Sequence, residues 1–377
     1  MNILYIAPCY PKNEDPYSAY FLHKQAKALI EFGVSVTVVD IDFRSLRHNR
    51  RWGVYRDDYD GVEVYRVSIP LGTKKIIPSS MIARLAQMCG VYVYKKFFIG
   101  RKFDLIHAQF AFESGNAGVA IKKKYKIPLV VTEHSSAIMQ KSRHLDAMND
   151  VYSLADQIIS VSEYLKKMIF EKFNRESIVI SNVLDEDKFS VLNVKKNEKF
   201  TFLTVSRLIE WKCIDKIIMA CKSLVEKEYD FKLVIIGNGD QIDNLKNLVV
   251  DNNLTEYVCF LGNIVNDKLP VYYNQSHCFV LPSKGETFGM VFAESIACGV
   301  PVIATKCGAP ESFINNDNGI VIEENDVAHL SEAMIMIYEH ISDYDSKYMS
   351  KEIVKNFGKN SICRQIVDVY NSIGKRK

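Results

Sequence analysis

Gly285-Glu286-Thr287-Phe288-Gly289-Met290-Val291-Phe292-Ala293-Glu294-Ser295-Ile296-Ala297-Cys298-Gly299-Val300-Pro301-Val302-Ile303-Ala304 reads as a loop, a helix and a strand in succession. A strand-like run, His277-Cys278-Phe279-Val280-Leu281, precedes it, and Pro282-Ser283-Lys284-Gly285 leads out of that run. Residues 289–298 are apolar at helical spacing, Gly299 stops them, and Val300-Pro301-Val302-Ile303-Ala304 has the length and composition of a buried strand. A strand–loop–helix–strand unit belongs to an open parallel sheet, and such sheets bind ligands in the loops at the carboxyl ends of their strands.

Two carboxylates bracket this unit. Glu286 falls in the loop and Glu294 in the helix. Eight residues of helix would separate them by about 12 Å, roughly the reach of a nucleotide-linked sugar. Between them the backbone N–H groups of Phe288, Gly289 and Met290 have no helical partner, and with the helix dipole they attract a phosphate. One segment can thus offer a carboxylate to a sugar, amides to a phosphate and a second carboxylate to a ribose. The plainer alternative is that Glu286 caps the helix and Glu294 lies on a solvated face.

Working outward, a chain of 377 residues accommodates two domains or three. Hydrophobic residues at 48% and charged residues at 25% are ordinary for a globular protein and exclude a mainly disordered one. A net charge of +3 gives no reason to expect a nucleic-acid partner. The nine cysteines form no C-x-x-C pair and mostly sit in apolar runs, which suggests reduced thiols of a cytosolic protein, not disulfides or zinc ligands. The first residues read as a strand without a basic leader, so no signal peptide is expected. No apolar run reaches the roughly 18 residues of a membrane span.

Residues 2–7 read as a buried strand, Pro8 and Pro11 open a polar loop reaching Asp15-Pro16, a helix over 17–32 ends at Gly33, and 34–40 form a second strand. This begins a doubly wound sheet. Its first loop lacks G-x-G-x-x-G, so a dinucleotide site is not expected there. Residues 42–59 are charged and irregular, with Arg44, Arg47, Arg50 and Arg51 close together, either a solvated loop or a grip for an anionic acceptor. Asp60-Gly61 is a turn and 62–67 alternate as a strand. Residues 79–98 are helical and rich in aromatic and apolar side chains, with Lys95 and Lys96 near the end and Arg101 and Lys102 beyond. That segment is either a core helix with a charged end or a surface helix touching an anionic bilayer. Strands over 103–108 and 127–132 flank a helix over 114–125, and His134 stands at the carboxyl end of the second, as either a structural or an active-site residue. Strands at 157–161 and 177–181 finish the first sheet.

The polar run 182–199 reads as an interdomain linker, giving domains 1–190 and 191–357, with a final helix over about 358–377 crossing back onto the first. Residues 200–205 form a strand, 206–211 a loop, and a helix starts near Lys212. The strand 231–236 leads into Gly237-Asn238-Gly239-Asp240, a weak phosphate signal because Ile242 stands at the third glycine position. Strands at 257–261, 277–281 and 300–304 complete a second parallel sheet.

Two α/β halves, Val205-Ser206-Arg207-Leu208-Ile209-Glu210-Trp211-Lys212 at a strand-to-helix junction, and the spaced pair Glu286 and Glu294 together resemble family 4 of the retaining glycosyltransferases. Asn182-Val183, Asp104-Leu105-Ile106-His107-Ala108 and Thr132-Glu133-His134 are similar to further elements of that family, so the resemblance spans nearly the whole chain. It implies the α/β GT-B fold, two Rossmann-like doubly wound domains facing a cleft. It implies that Arg207 and Lys212 hold the donor diphosphate, Glu294 the ribose and Glu286 the donor sugar. Phe288, Gly289 and Met290 would present backbone amides, Gly262, Asn263 and Ile264 would lie against the base, and His134 would line the reacting cleft.

The implied activity moves a sugar from a UDP- or GDP-linked donor to a glycan or lipid-linked acceptor with retention, in surface polysaccharide or glycolipid synthesis. No metal or other cofactor is implied, since cations and a helix N-terminus stabilise the departing diphosphate. The site is expected in the cytoplasm, with an anionic membrane surface as a further partner. The chain departs from the family at Asp15-Pro16-Tyr17-Ser18-Ala19, where a glycine pair is common, at Ser206, where glycine is usual, and at Cys213, where glycine often follows the lysine. The first departure motivates an alternative, a non-catalytic nucleotide-sugar-binding regulatory subunit. A sugar-nucleotide epimerase is the other.

Overall fold

The computed structural model describes residues 1–374 except 14, 16–17, 45–50, 72–75, 135–143 and 324. The chain divides into two units, Met1–Val183 with Lys359–Lys377, and Leu184–Gly358.

In the first unit the strands are β1 (Asn2–Pro8), β2 (Ser35–Asp42), β3 (Gly53–Tyr59), β4 (Val62–Ser68), β5 (Leu105–Gln109), β6 (Leu129–Glu133), β7 (Gln157–Ser160) and β8 (Ile178–Val179). Its helices are α1 (Tyr20–Glu31), α2 (Ser79–Phe97), α3 (Asn116–Tyr125), α4 (Leu145–Leu154) and α5 (Glu163–Phe173). The described strands form one sheet in the order β3-β4-β2-β1-β5-β6-β7-β8, parallel except for β3 against β4. Its central strands are buried along almost their full length, as expected where helices cover both faces.

Residues 53–59 were expected to be irregular and instead form β3. The strand is exposed on alternate positions and lies on the sheet edge, so it carries charges where a central strand carries valines. Asp60 and Gly61 both have positive φ, at 50° and 76°, which is the two-residue turn that joins tightly twisted hairpins. A π-helical turn, Ala111–Gly115, precedes α3 and takes up the first residues of the expected helix.

The second unit contains β9 (Phe200–Val205), β10 (Phe231–Ile236), β11 (Val258–Gly262), β12 (Cys278–Leu281), β13 (Val302–Thr305) and β14 (Gly319–Ile322). Its helices are α6 (Ile214–Glu226), α7 (Ile242–Asp251), α8 (Leu269–Gln275), α9 (Met290–Ala297), α10 (Val327–Glu339) and α11 (Ser346–Phe357). All strands are parallel, in the order β11-β10-β9-β12-β13-β14. Strand β14 extends the sheet beyond the three late strands read from the sequence; it is four residues long at an edge, too short to show a period. From β9 the chain runs outward through β10 and β11, then returns to the other side of β9 as β12. The β9/β12 seam is therefore the topological switch point of this sheet.

The last helix, α12 (Lys359–Gly374), packs within the first unit. Tyr370 donates to or accepts from His107 Nδ1 at 2.6 Å, and Lys359 pairs with Glu31 at 3.1 Å.

Candidate functional site

The loops that follow β9 and β12 leave adjacent strands at the switch point. After β9, Ser206–Ile209 leads into a 3-10 turn, Glu210–Lys212, and Cys213 enters α6 in the left-handed region at φ 52°. Cys213 thus adopts the backbone conformation for which glycine is favoured, at a cost of about 1 kcal/mol or more. The loop is held from beneath. Leu208 is buried, its amide donates to Asn238 O at 2.9 Å, and its carbonyl accepts from the Gln241 amide at 3.0 Å. A Cβ on Gly237, at φ 135°, would stand 1.8 Å from the Ser206 carbonyl, and one on Gly239 would stand 2.1 Å from the Leu208 carbonyl. The two glycines of the weak Gly237-Asn238-Gly239 signal therefore let one loop lie on another and so fix the position of Arg207. That contact joins segments thirty residues apart and leaves no local spacing pattern.

The loop after β12 is stitched to its neighbours in the same way. Trp211 Nε1 donates to Gly285 O at 2.9 Å, and the Lys284 amide donates to Trp211 O at 2.9 Å. The Glu286 amide donates to Cys307 O at 3.0 Å, a bridge that joins this loop to the one after β13. Glu311 closes that third loop by accepting from the amides of Cys307 and Gly308 at 3.3 and 2.9 Å. Asn325 donates to Pro282 O at 2.7 Å. Glu311 and Asn325 were not singled out from the sequence, because each acts only through a fold-dependent neighbour.

These supports bring Lys212 and Glu286 together, Nζ to Oε1 at 2.5 Å, both mostly buried, with the Ser283 hydroxyl donating to the same carboxylate oxygen at 2.7 Å. Arg207 is exposed and has no partner among the described residues. The buried Ser206 hydroxyl is likewise without a hydrogen-bond partner. Gly289 caps α9 at φ 86°, and the amides of Phe288, Gly289 and Met290 find no acceptor among the described residues. The Phe288 ring is buried against Phe313 and Phe357, which anchors the helix start.

Glu294 lies inside α9, buried, and accepts from the Tyr273 hydroxyl at 3.4 Å. Because α9 begins only at Met290, Glu286 is bridged to the next loop instead of standing on the helix, and the 12 Å helical separation expected from the sequence does not apply. Gly262 ends β11 and accepts from the Gly237 amide at 2.8 Å, and Asn263 beyond it is exposed. Ile264 follows, half-buried.

In the first unit, His134 follows β6 and is 7% exposed, between the rings of Phe21 and Phe110 at 5.1 Å each. Its Nε2 faces Gln109 Oε1 at 2.8 Å, and Gln109 Nε2 faces His107 Nε2 at 3.0 Å. This orientation puts the His134 proton on Nε2 and leaves Nδ1 as a lone pair, buried and, among the described residues, with no partner at hydrogen-bonding geometry. Burial pushes both rings down to about 3, with the His134 charge adding to the effect at His107 and the Asn182 side chain opposing it slightly at His134.

Beside them, at the carboxyl ends of β1, β5 and β6, lies a cavity of about 420 Å³. Phe21, Phe110, Phe112 and Met148 give it an apolar lining, to which Glu113 and His144 add polar groups. Of the arginines grouped in the sequence, Arg44 is committed to Asp15 and Asp42, and Arg51 lies over Tyr55. Arg47 and Arg50 fall outside the described residues.

Among the described residues no group of His, Cys, Asp or Glu side chains has the arrangement of a metal site. Asp40-Ile41-Asp42 has the Asp-x-Asp spacing that metal-binding carboxylates can use, but both side chains are fully buried and ion-paired. Asp40 meets Arg66 at 3.0 Å, and Asp42 meets Lys12 at 3.1 Å and Arg44 at 2.9 Å. None of the nine cysteines, all among the described residues, is in a disulfide.

Two doubly wound sheets, the second with a basic and acidic pair at its switch point, define an α/β protein of the GT-B class. Residues 185–353 match the family described as Glycosyl transferases group 1, and residues 18–188 match Glycosyltransferase Family 4. An uncharacterized glycosyltransferase of Methanocaldococcus jannaschii is 31% identical over 261 residues, 68% of this chain and 69% of that one. The alpha-monoglucosyldiacylglycerol synthase of Streptococcus pneumoniae is 26% identical over 291 residues, 68% of this chain and 65% of that one. The solved structure of Anabaena HepE in complex with UDP-glucose has the same fold, with a TM-score of 0.73 at 18% identity, covering 99% of this chain and 100% of that one. The chain belongs to the group 1 glycosyltransferases.

Proposed function

We propose that the protein transfers a sugar from a nucleotide-diphosphate donor, UDP- or GDP-linked, to a glycan or lipid-linked acceptor with retention. The setting proposed is surface polysaccharide or glycolipid synthesis at the cytoplasmic side of a membrane. The observation that carries this reading is the Lys212–Glu286 pair at the β9/β12 seam, next to the open amides at the start of α9.

In the transfer, the bond between the anomeric carbon and the phosphate oxygen breaks, and its electron pair leaves with the diphosphate. The acceptor oxygen bonds to the same face of that carbon, and its proton goes to the departing phosphate oxygen. Arg207, Lys212 and the amides of Phe288, Gly289 and Met290 would meet the charge that develops on the diphosphate. By analogy with oxyanion holes, one such group contributes about 3 kcal/mol. Glu286 would take a hydroxyl of the donor sugar while staying on Lys212, Glu294 the ribose, and Gly262, Asn263 and Ile264 the base. His134 would offer its free Nδ1 lone pair to a hydroxyl, as a neutral ring. No metal is invoked, because the chain supplies two cations and a helix N-terminus for the same charge.

HepE, similar in fold, is solved with UDP-glucose, and the pneumococcal relative is named for a diacylglycerol glycolipid. Both support a nucleotide-sugar donor and an acceptor of this kind. Thermal unfolding against UDP-, GDP- and ADP-sugars tests the donor: a ligand at a hundred times its Kd stabilises by about 2.7 kcal/mol. One nucleotide class should raise the midpoint, and that donor should then label a glycan or lipid acceptor with the anomeric configuration kept, read by NMR. Failure of every nucleotide sugar to shift the midpoint would refute the reading.

A further inference from the structure

Helix α2 turns Ile82, Ala83, Ala86, Cys89, Gly90, Val93 and Tyr94 inward. A Cβ on Gly90 would stand 2.9 Å from Ala117 Cβ, so α2 and α3 approach closely along that face. The opposite face is not purely polar, as it would be on an ordinary surface helix, but mixes large apolar side chains with basic ones. Met81, Met88, Tyr92 and Ile99 are exposed at 63, 69, 52 and 66%. Met81, Met88 and Tyr92, seven and four residues apart, return to one side of the helix and form an apolar stripe about 16 Å long, and Ile99 lies in the turn just beyond the helix end. Ile76, just before the helix, is exposed as well.

The charges along this stripe have one sign. Residues 79–103 contain no Asp or Glu and contain Arg84, Lys95, Lys96, Arg101 and Lys102. Arg101 is engaged by Glu63 at 2.9 Å, and Arg84 shares a cavity lining with Asp146 and Asp150. Lys95, Lys96 and Lys102 are exposed with no carboxylate partner among the described residues. The Tyr94–Tyr125 stack, at 4.1 Å, brings the end of α3, with Lys124 over Tyr125, beside the end of α2.

We infer that the outward face of α2 docks on an anionic lipid bilayer, with Met81, Met88, Tyr92 and Ile99 entering the headgroup–acyl boundary and Lys95, Lys96 and Lys102 meeting lipid phosphates. The helix is not long and apolar enough to cross a membrane, so it lies along the surface. A partner helix or a second copy would equally cover the apolar stripe but gives no reason for lysines without a counter-charge; an anionic bilayer supplies both. The start of α2 is joined to the cavity of the first unit, since the Ser79 hydroxyl meets His144 Nδ1 at 2.9 Å and the His144 ring stacks on Phe112 at 4.0 Å. Docking would thus hold that cavity near the membrane, as a lipid-linked acceptor requires. This last step rests on the proposed transfer; the docking does not.

Co-sedimentation of the full chain with vesicles of phosphatidylcholine, alone or with about one-third phosphatidylglycerol, tests the docking. The protein should pellet with the anionic vesicles at low salt and be released at high salt. Combined Lys95→Glu, Lys96→Glu and Lys102→Glu should weaken binding on the order of a hundredfold. Combined Met81→Ser, Met88→Ser, Tyr92→Ser and Ile99→Ser should weaken it at unchanged salt. Both variants change exposed side chains, so each should keep the wild-type unfolding midpoint and donor-induced shift.

Equal binding to neutral vesicles, no binding, or unchanged binding by the serine variant would overturn the inference. So would self-association without vesicles that the serine variant abolishes. A donor shift missing from every variant and the wild type would count against the transfer reading alone.

Discussion

Acidification should loosen the first unit well before its carboxylates titrate. His107 and His134 are held at about 3 in the folded chain, against an ordinary value of roughly 6.5 in an unfolded one. Between those values the unfolded state binds more protons, so stability is complete above pH 6.5 and declines as pH falls towards 3. From pH 7 to 5.5 each ring should remove about 1.2 kcal/mol, or about 2.5 kcal/mol for the two. His23 is pushed down by burial as well and adds in the same direction. Asp60 and Glu63, whose pKa values are lowered, add their own loss only below the ordinary carboxylate range.

The two tryptophans allow the units to be read separately, because Trp52 lies in the first and Trp211 in the second. Urea unfolding of a Trp211→Phe chain, followed by Trp52 fluorescence across pH 5.5–7, gives the dependence directly. His134→Gln should remove roughly half of it. A first unit whose stability is flat across this range, or a His134→Gln chain with the wild-type slope, would refute the assignment of His134 as a buried neutral ring. It would also remove the reason for giving that ring a lone pair and no charge in transfer.

Lys212→Ala should lower kcat/KM by about a hundredfold to a thousandfold in a transfer assay, equivalent to ~3 kcal/mol. Because Lys212 and Glu286 are paired at 2.5 Å, Lys212→Ala combined with Glu286→Gln should fall short of the sum of the single effects, which a double-mutant cycle measures. Gly237→Ala drives a Cβ to within 1.8 Å of the Ser206 carbonyl and should destabilise the second unit by ~2 kcal/mol or more, read from Trp211 fluorescence in urea. Glu311→Ala frees the amides of Cys307 and Gly308 and should cost ~1–2 kcal/mol while weakening donor binding by calorimetry, with Glu311→Gln restoring part of both.

The parts of the fold that were legible in the sequence are those whose burial is continuous. Strand β1 is apolar because both of its faces are covered, and α9 is apolar almost all round for the same reason. Strand β3 escaped because an edge strand carries charges on its open side, although Asp60-Gly61 beside it was a hairpin signal. For the candidate site, the residue types facing the switch point were legible and their supports were not. Lys212 and Glu286 stand in recognisable local patterns, yet the 2.5 Å between them depends on hydrogen bonds from Trp211 to Gly285 and from Glu286 to Cys307.

Those supports belong to loops that leave different strands, so no window along the chain contains both partners. Gly237 and Gly239 show the same limit from the other side: they fail as a phosphate motif and succeed as the floor on which the Arg207 loop rests. Cys213 links the two kinds of information. Its left-handed backbone is the conformation that glycine adopts most readily, so the constraint on this position shows in the turn and not in the residue type. That turn holds Lys212 against Glu286, and the two come together because the loops carrying them leave the adjacent strands β9 and β12.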